Sequence, residues 1–174
     1  MSTLTSTITE SVEVNGSVRG STNTVSISNI TQVAEKVMEC PPAVGEVPGV
    51  SIIGNWASVV NPTAVVYQNY DFNDSEYVRV TNLSETLPIE VGFVSTGQDS
   101  QCVAAKTADS YRVLLLPRQS TLLWRTEKGK LGEAGIPRFG ITTLTNLSYI
   151  AVWNYTADET AAPVNVELFV AGKK

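Results

Sequence analysis

The sequence contains no histidine, and of its 174 residues only two are cysteine and only 17% are charged. Each shortage removes a class of function. Without an imidazole, neither Ser-His-Asp nor Cys-His nucleophilic machinery can be assembled. Cys40 and Cys102 are too few and too far apart for a structural zinc site, which histidines would have to complete. Two readings of the cysteines remain open, one disulfide or two buried thiols, and the sequence favours the thiols. Lys and Arg number 12 against 17 Asp and Glu, for a net charge of −5. No basic run occurs; Arg125, Lys128 and Lys130 straddle a glycine-containing turn with Glu127 among them and read as a solvated loop. Binding to nucleic acid, which needs clustered cations facing phosphate, is therefore not expected. Nor is a membrane span, because no stretch approaches the ~18–20 apolar residues that one requires. Met1 to Thr7 have neither the basic start nor the apolar core of a secretion signal, so the chain is expected to fold in the cytoplasm where it is made.

What is abundant is β-forming. The chain is 43% hydrophobic, with Thr, Ser, Val and Asn frequent and long helix formers scarce, which favours strands on propensity. Segments 77–83, 88–94, 110–116, 121–124 and 149–153 read as strands separated by turns, and 50–53 and 64–67 as earlier ones. Their connections are too short for crossover helices. The pattern predicts an all-β fold, an antiparallel sandwich or barrel. Loops are expected at 71–75, 95–100, 116–120 and 156–163, with a longer flexible one from Glu127 to Pro137.

The N-terminal part differs. Residues 7–14 and 24–30 alternate, Asn15-Gly16 is a tight-turn signal, and Ser17 to Asn23 is small and polar with Gly20 offering a further bend. Gln32 to Glu39 fits a short helix or a strand, with strand preferred because β segments flank it. Pro41 to Gly49 carries three prolines and two glycines and reads as a stiff linker. The expected organisation is an N-terminal arm or hairpin at 1–40, a linker at 41–49 and a β-sandwich domain at 50–174. The arm has too few apolar residues to be stable alone and must lie on the main domain or on another subunit. Ile8, Val12, Val14, Val25, Ile27 and Ile30 have no obvious partner inside it, so they are the expected assembly contacts.

No catalytic residue, metal or cofactor is expected. Most acids fall in turns, where carboxylates bond their own backbone. The acidic run 71–76 is dense in hard oxygen ligands but lacks the glycine and spacing of a calcium loop, and reads as a polar turn. An alternative ligand surface for sugar or receptor would use Tyr67, Tyr70, Asp71, Asn73 and Asp74, where aromatics border a polar loop. Trp56, Trp124 and Trp153 sit in apolar runs and read as core or interface.

Tyr77-Val78-Arg79-Val80-Thr81-Asn82-Leu83, then Ile89-Glu90-Val91-Gly92-Phe93 and Tyr111 to Ser120, resemble the small β-sandwich, jelly-roll-like virion structural proteins of tailed bacteriophages, such as capsid decoration (cement) proteins. Arg118 stands where those proteins more often carry glycine. The opening Val12 to Thr24 is similar to their N-terminal segment. The resemblance implies a non-enzymatic, jelly-roll-like subunit located in the virion, as a decoration protein or a neck or tail component. Its partners would be the major capsid protein or other virion subunits, and symmetric placement on a shell favours a homo-oligomer, with a trimer first. A carbohydrate- or receptor-binding module of a phage tail or spike is the alternative.

Overall fold

The computed structural model describes residues 2–54, 65–67, 72, 75–95, 110–124, 147–156 and 163–173, and every regular element among them is a strand. In chain order these are β1 (Ser2–Val14), β2 (Ser17–Ile30), β3 (Gln32–Cys40), β4 (Gly49–Gly54), β5 (Val65–Tyr67), β6 (Ser75–Asn82), β7 (Ile89–Ser95), β8 (Ser110–Leu115), β9 (Ser120–Trp124), β10 (Leu147–Asn154) and β11 (Val164–Gly172). They form a five-stranded sheet in the order β5-β4-β10-β7-β8, a four-stranded sheet in the order β3-β11-β6-β9, and the separate pair β1-β2. All pairings are antiparallel except β4 with β5. Four of them nest, first with last: β3 with β11, β4 with β10, β6 with β9, and β7 with β8.

The strands form where the sequence alternates, and alternation decides which side chains meet. Val164, Val166, Leu168 and Val170 of β11, Val78 and Val80 of β6, and Met38 and Cys40 of β3 point from one sheet. Ile89, Val91 and Phe93 of β7, Ile150 and Val152 of β10, Ile53 of β4 and Leu115 of β8 face them from the other. These residues close the main core, each contributing about 1.5–3 kcal/mol of apolar burial when fully covered. The five-stranded sheet is also buried on its second face, at Val50, Ile52, Val94, Tyr149, Ala151 and Trp153. That is why β4 and β10 read as nearly continuous apolar runs.

Residues 32–40, expected to end the N-terminal arm, pair along their whole length with β11 and belong to the four-stranded sheet. The preference for strand over helix here agrees with the structure. The expected linker holds a small bridge between Val44 and Val47, turned at Gly45 with φ 60°, and the Ala43 amide donates to the Thr156 carbonyl at 3.1 Å. The 116–120 loop is a turn in which Gln119 N–H donates to the Leu116 carbonyl at 3.1 Å, and Arg118 has φ 64°, the left-handed conformation that glycine adopts most easily. Asn82 ties this turn to the end of β6: its amide donates to the carbonyls of Leu87 (2.8 Å), Leu115 (3.2 Å) and Leu116 (3.3 Å), and its Oδ1 accepts from Ser84 N–H at 3.0 Å. Of the loop expected at 95–100, Ser95 ends β7 and the rest lies outside the described residues, as do the loop expected at 127–137, Cys102, Trp56 and the cations of 125–130.

Gly92 has a packing reason. A Cβ built there meets Cζ3 of Trp153 at 2.5 Å, so the indole lies directly across the β7 backbone. The Arg112 guanidinium covers the ring at 4.1 Å from its centroid and pairs with Glu90 at 3.3 Å. Burial and the neighbouring Glu90 push the Tyr155 phenol up from 10.0 to about 12. Gly92→Ala is expected to destabilise the protein by about 1–3 kcal/mol through overpacking, read as a lower urea midpoint at unchanged slope.

Cys40 is buried between the sheets, its thiol 3.5 Å from the Val152 carbonyl. Loss of hydration raises its pKa from 9.0 to about 12. The neutral thiol is thus favoured by folding, and the associated stability is complete below pH 9 and lost as pH rises toward 12. Thermal melts from pH 7 to 11 should show a fall beginning above pH 9 that is shallower in Cys40→Ala, and Cys40 should react with a thiol reagent only on unfolding.

Candidate assembly surface

The β1-β2 hairpin is built by its turn. Asn15 and Gly16 have φ 52° and 77°, the pair of left-handed residues that a two-residue type I′ loop needs. The register then runs without interruption from Val14↔Ser17 to Thr3↔Ser28. Gly20 makes no bend; it pairs with Ser11 inside β2 and lies against the Glu10 carbonyl, where a Cβ would collide.

Cross-strand partners share a face, so the register sorts the hairpin into two unlike surfaces. One carries Leu4, Ser6, Ile8, Glu10, Val12 and Val14 with Ile27, Val25, Asn23, Ser21, Arg19 and Ser17 opposite them. The other is hydroxyl-bearing along most of its length, where Thr3, Thr5, Thr7 and Thr9 stand across from Ser28, Ser26, Thr24 and Thr22, and it ends near the turn with Ser11 opposite Gly20 and Glu13 opposite Val18. Thr7 and Thr24 hydroxyls lie 3.3 Å apart and those of Thr9 and Thr22 3.5 Å.

The apolar face is covered only at its base. Ile27 and Ile30 are buried, with Leu4 and Val25 half-buried beside them, against Tyr77, Phe169, Ala171 and Leu122. These four lie on the side of the four-stranded sheet that faces away from the core. Ile30 joins Ile27 because Asn29, at φ 62°, is an extra residue at the register shift between Ser2 and Thr3. Strict alternation would have turned Ile30 toward the hydroxyl face. The Ser6 and Tyr77 hydroxyls are 3.3 Å apart. Tyr77 meets Phe169 edge-on at 5.9 Å, and Arg79 lies 5.3 Å over the Phe169 ring while pairing with Glu167 at 2.8 Å. Beyond the base, every residue from Thr9 to Thr24 is exposed.

The six expected assembly contacts therefore separate. Ile27, Ile30 and Val25 are occupied by their own chain, contrary to the expectation that they reach another subunit, because Tyr77, Phe169 and Ala171 supply the missing apolar surface. Ile8 is half-buried, and only Val12 and Val14, 59% and 52% exposed, remain open. Two further apolar residues that the sequence pattern does not single out are open, Val33 and Val37 on the outer face of β3, 60% and 57% exposed. Their alternation with Glu35 and Glu39 was visible, but not that Met38 and Cys40 would take the core. Of the alternative ligand surface, Tyr70, Asp71, Asn73 and Asp74 lie outside the described residues, as does the Tyr67 side chain. Among the described residues no three His, Cys, Asp or Glu side chains gather as a metal group would require.

Ile27→Ala is expected to cost about 2–4 kcal/mol of stability by opening a cavity under the hairpin base, whereas Val14→Ala should stay within about 0.5 kcal/mol. Chemical denaturation of the two variants checks the contrast.

Models of known protein families and curated proteins offer no match to this sequence, so its functional reading stands on the hairpin and the sheet face themselves.

Proposed function

We propose that this chain is a non-enzymatic virion structural protein, a capsid decoration (cement) protein that stabilises a particle by binding neighbouring subunits through its N-terminal arm. The observation that carries the reading is the nested strand pairing. Leaving aside the short parallel strand β5, the eight strands β3 to β11 pair first with eighth, second with seventh, third with sixth and fourth with fifth. A long hairpin wrapped into two sheets would give this order, which supports a jelly-roll reading, and capsid proteins are among the main users of that architecture. Sugar-binding and cupin proteins share the architecture. The cupin reading fails on the absent histidines, and the assembly reading is favoured by the hairpin.

A two-stranded ribbon with nothing packed on it is marginal in water. This one keeps 16 consecutive residues, 9–24, exposed beyond a firmly docked base, an arrangement suited to an arm that reaches a neighbour. The net charge of −5 suits an outer surface that keeps a particle soluble.

Because the base covers Tyr77 and Phe169, the test is to shorten the arm rather than to remove it. Ile8 and Asn23 are register partners, so Asn-Gly in place of residues 9–22 closes a shorter hairpin with the same turn. That variant should melt within a few degrees of the full chain. Mixed with virus particles from the same source, the full chain should sediment with them and the shortened one should stay in the supernatant. A full chain that never sediments with particles would sink the reading.

A further inference from the structure

Two exposed apolar surfaces on this chain are each the continuation of one intramolecular contact. The hairpin base rests on the outer face of the four-stranded sheet through Leu4, Val25, Ile27 and Ile30. Along the hairpin the same face runs on to Val12 and Val14, and along the sheet the row through Ala171 runs on to its β3 partner Val33, with Val37, opposite Glu167, four residues further along β3. All four valines are more than half exposed, and no residue from 9 to 24 is covered by its own chain. Both surfaces carry charge beside these valines, and Glu10 precedes Val12 on the apolar face of the hairpin. Arg19, the one cation of the hairpin, pairs with Val12 on its apolar face. Glu35 lies between Val33 and Val37 on the outer face of β3, opposite Phe169.

We propose that Val12 and Val14 of one chain, with Arg19 beside them, dock on Val33 and Val37 of a second copy, with Arg19 facing Glu35. The occupant is a second copy because an apolar surface with a partner charge for each patch, Arg19 on one and Glu35 on the other, is present on the same chain, and both patches are left exposed within it. The contact extends an interface that the fold already makes, the hairpin face on the outer sheet face. It joins unlike surfaces, so it closes either as a reciprocal twofold pair or as a head-to-tail ring. The hydroxyl face of the hairpin stays in water in both arrangements. This inference rests on the reading of the hairpin as the assembly element and names what it binds.

The test uses full-length protein in a Cys102→Ser background, where the remaining cysteine, Cys40, is buried. Val14→Cys chains mixed with Val37→Cys chains under mild oxidation should give a disulfide-linked pair in clear excess over either variant alone. Light scattering on the unmodified chain should show a concentration-dependent mass above that of the monomer. Arg19→Glu and Glu35→Arg should each weaken association by roughly fivefold, and the two changes together should restore it. A chain that stays monomeric at its solubility limit, or a mixed cross-link no stronger than the single-variant controls, overturns the inference. A monomer that still sediments with particles through its hairpin overturns it while leaving the functional reading standing. Self-association through Val14 and Val37 in a chain that ignores particles would do the reverse.

Discussion

The constraint on which the rest of this structure depends is that the β11–β6 pair is covered on both faces. Toward the core, Val166, Leu168, Val170, Val78 and Val80 meet the five-stranded sheet. Away from it, Phe169, Ala171 and Tyr77 meet the base of the hairpin. A sheet whose second face faced water would carry polar residues there. Here the outer face carries aromatic rings, which are costly to leave wet, and the N-terminal residues cover them. The hairpin is thus attached by burial at one end and exposed at the other, so its base contributes to stability while residues 9–24 stay open.

The two faces of the hairpin reinforce the division. Its Thr and Ser side chains pair across the strands and leave a surface that is hydrogen-bonded within itself and well hydrated, so nothing drives that side into a core. The opposite side is sparse in apolar groups but keeps them in register with those that dock at the base. Long exposed ribbons are hazards for uncontrolled edge pairing. The base of the apolar face has a defined resting place on the chain's own sheet, which holds the ribbon at one end.

Much of this was legible in the sequence. The Asn15-Gly16 turn carries its conformation in its residue types, and the alternating segments at 77–83, 88–94, 110–116, 121–124 and 149–153 became β6 to β10. Arg118, which stands where the resembling proteins more often carry glycine, occupies a left-handed turn position that only the backbone revealed. Less legible were the roles within the N-terminal forty residues. Val25, Ile27 and Ile30 looked unpartnered because their partners come from Tyr77, Leu122, Phe169 and Ala171, far along the chain. Ile30 also depended on a bulge at Asn29, which no alternation pattern announces. Gly20 suggested a bend, but the close approach of the Glu10 carbonyl uses its missing side chain without turning the chain.

By itself the sequence determined the class of the fold, the positions of most strands, the hairpin turn and the absence of imidazole chemistry. These follow from local periodicity, backbone preference and composition, which need no knowledge of distant contacts. The tertiary structure alone decided that β3 joins the four-stranded sheet, that strands nest first with last, and which hairpin residues are spent on the chain's own surface and which remain open. Alternation divides side chains between two faces, but a face is covered only where another part of the chain is brought to it, and pairing between strands more than a hundred residues apart is what brings it there.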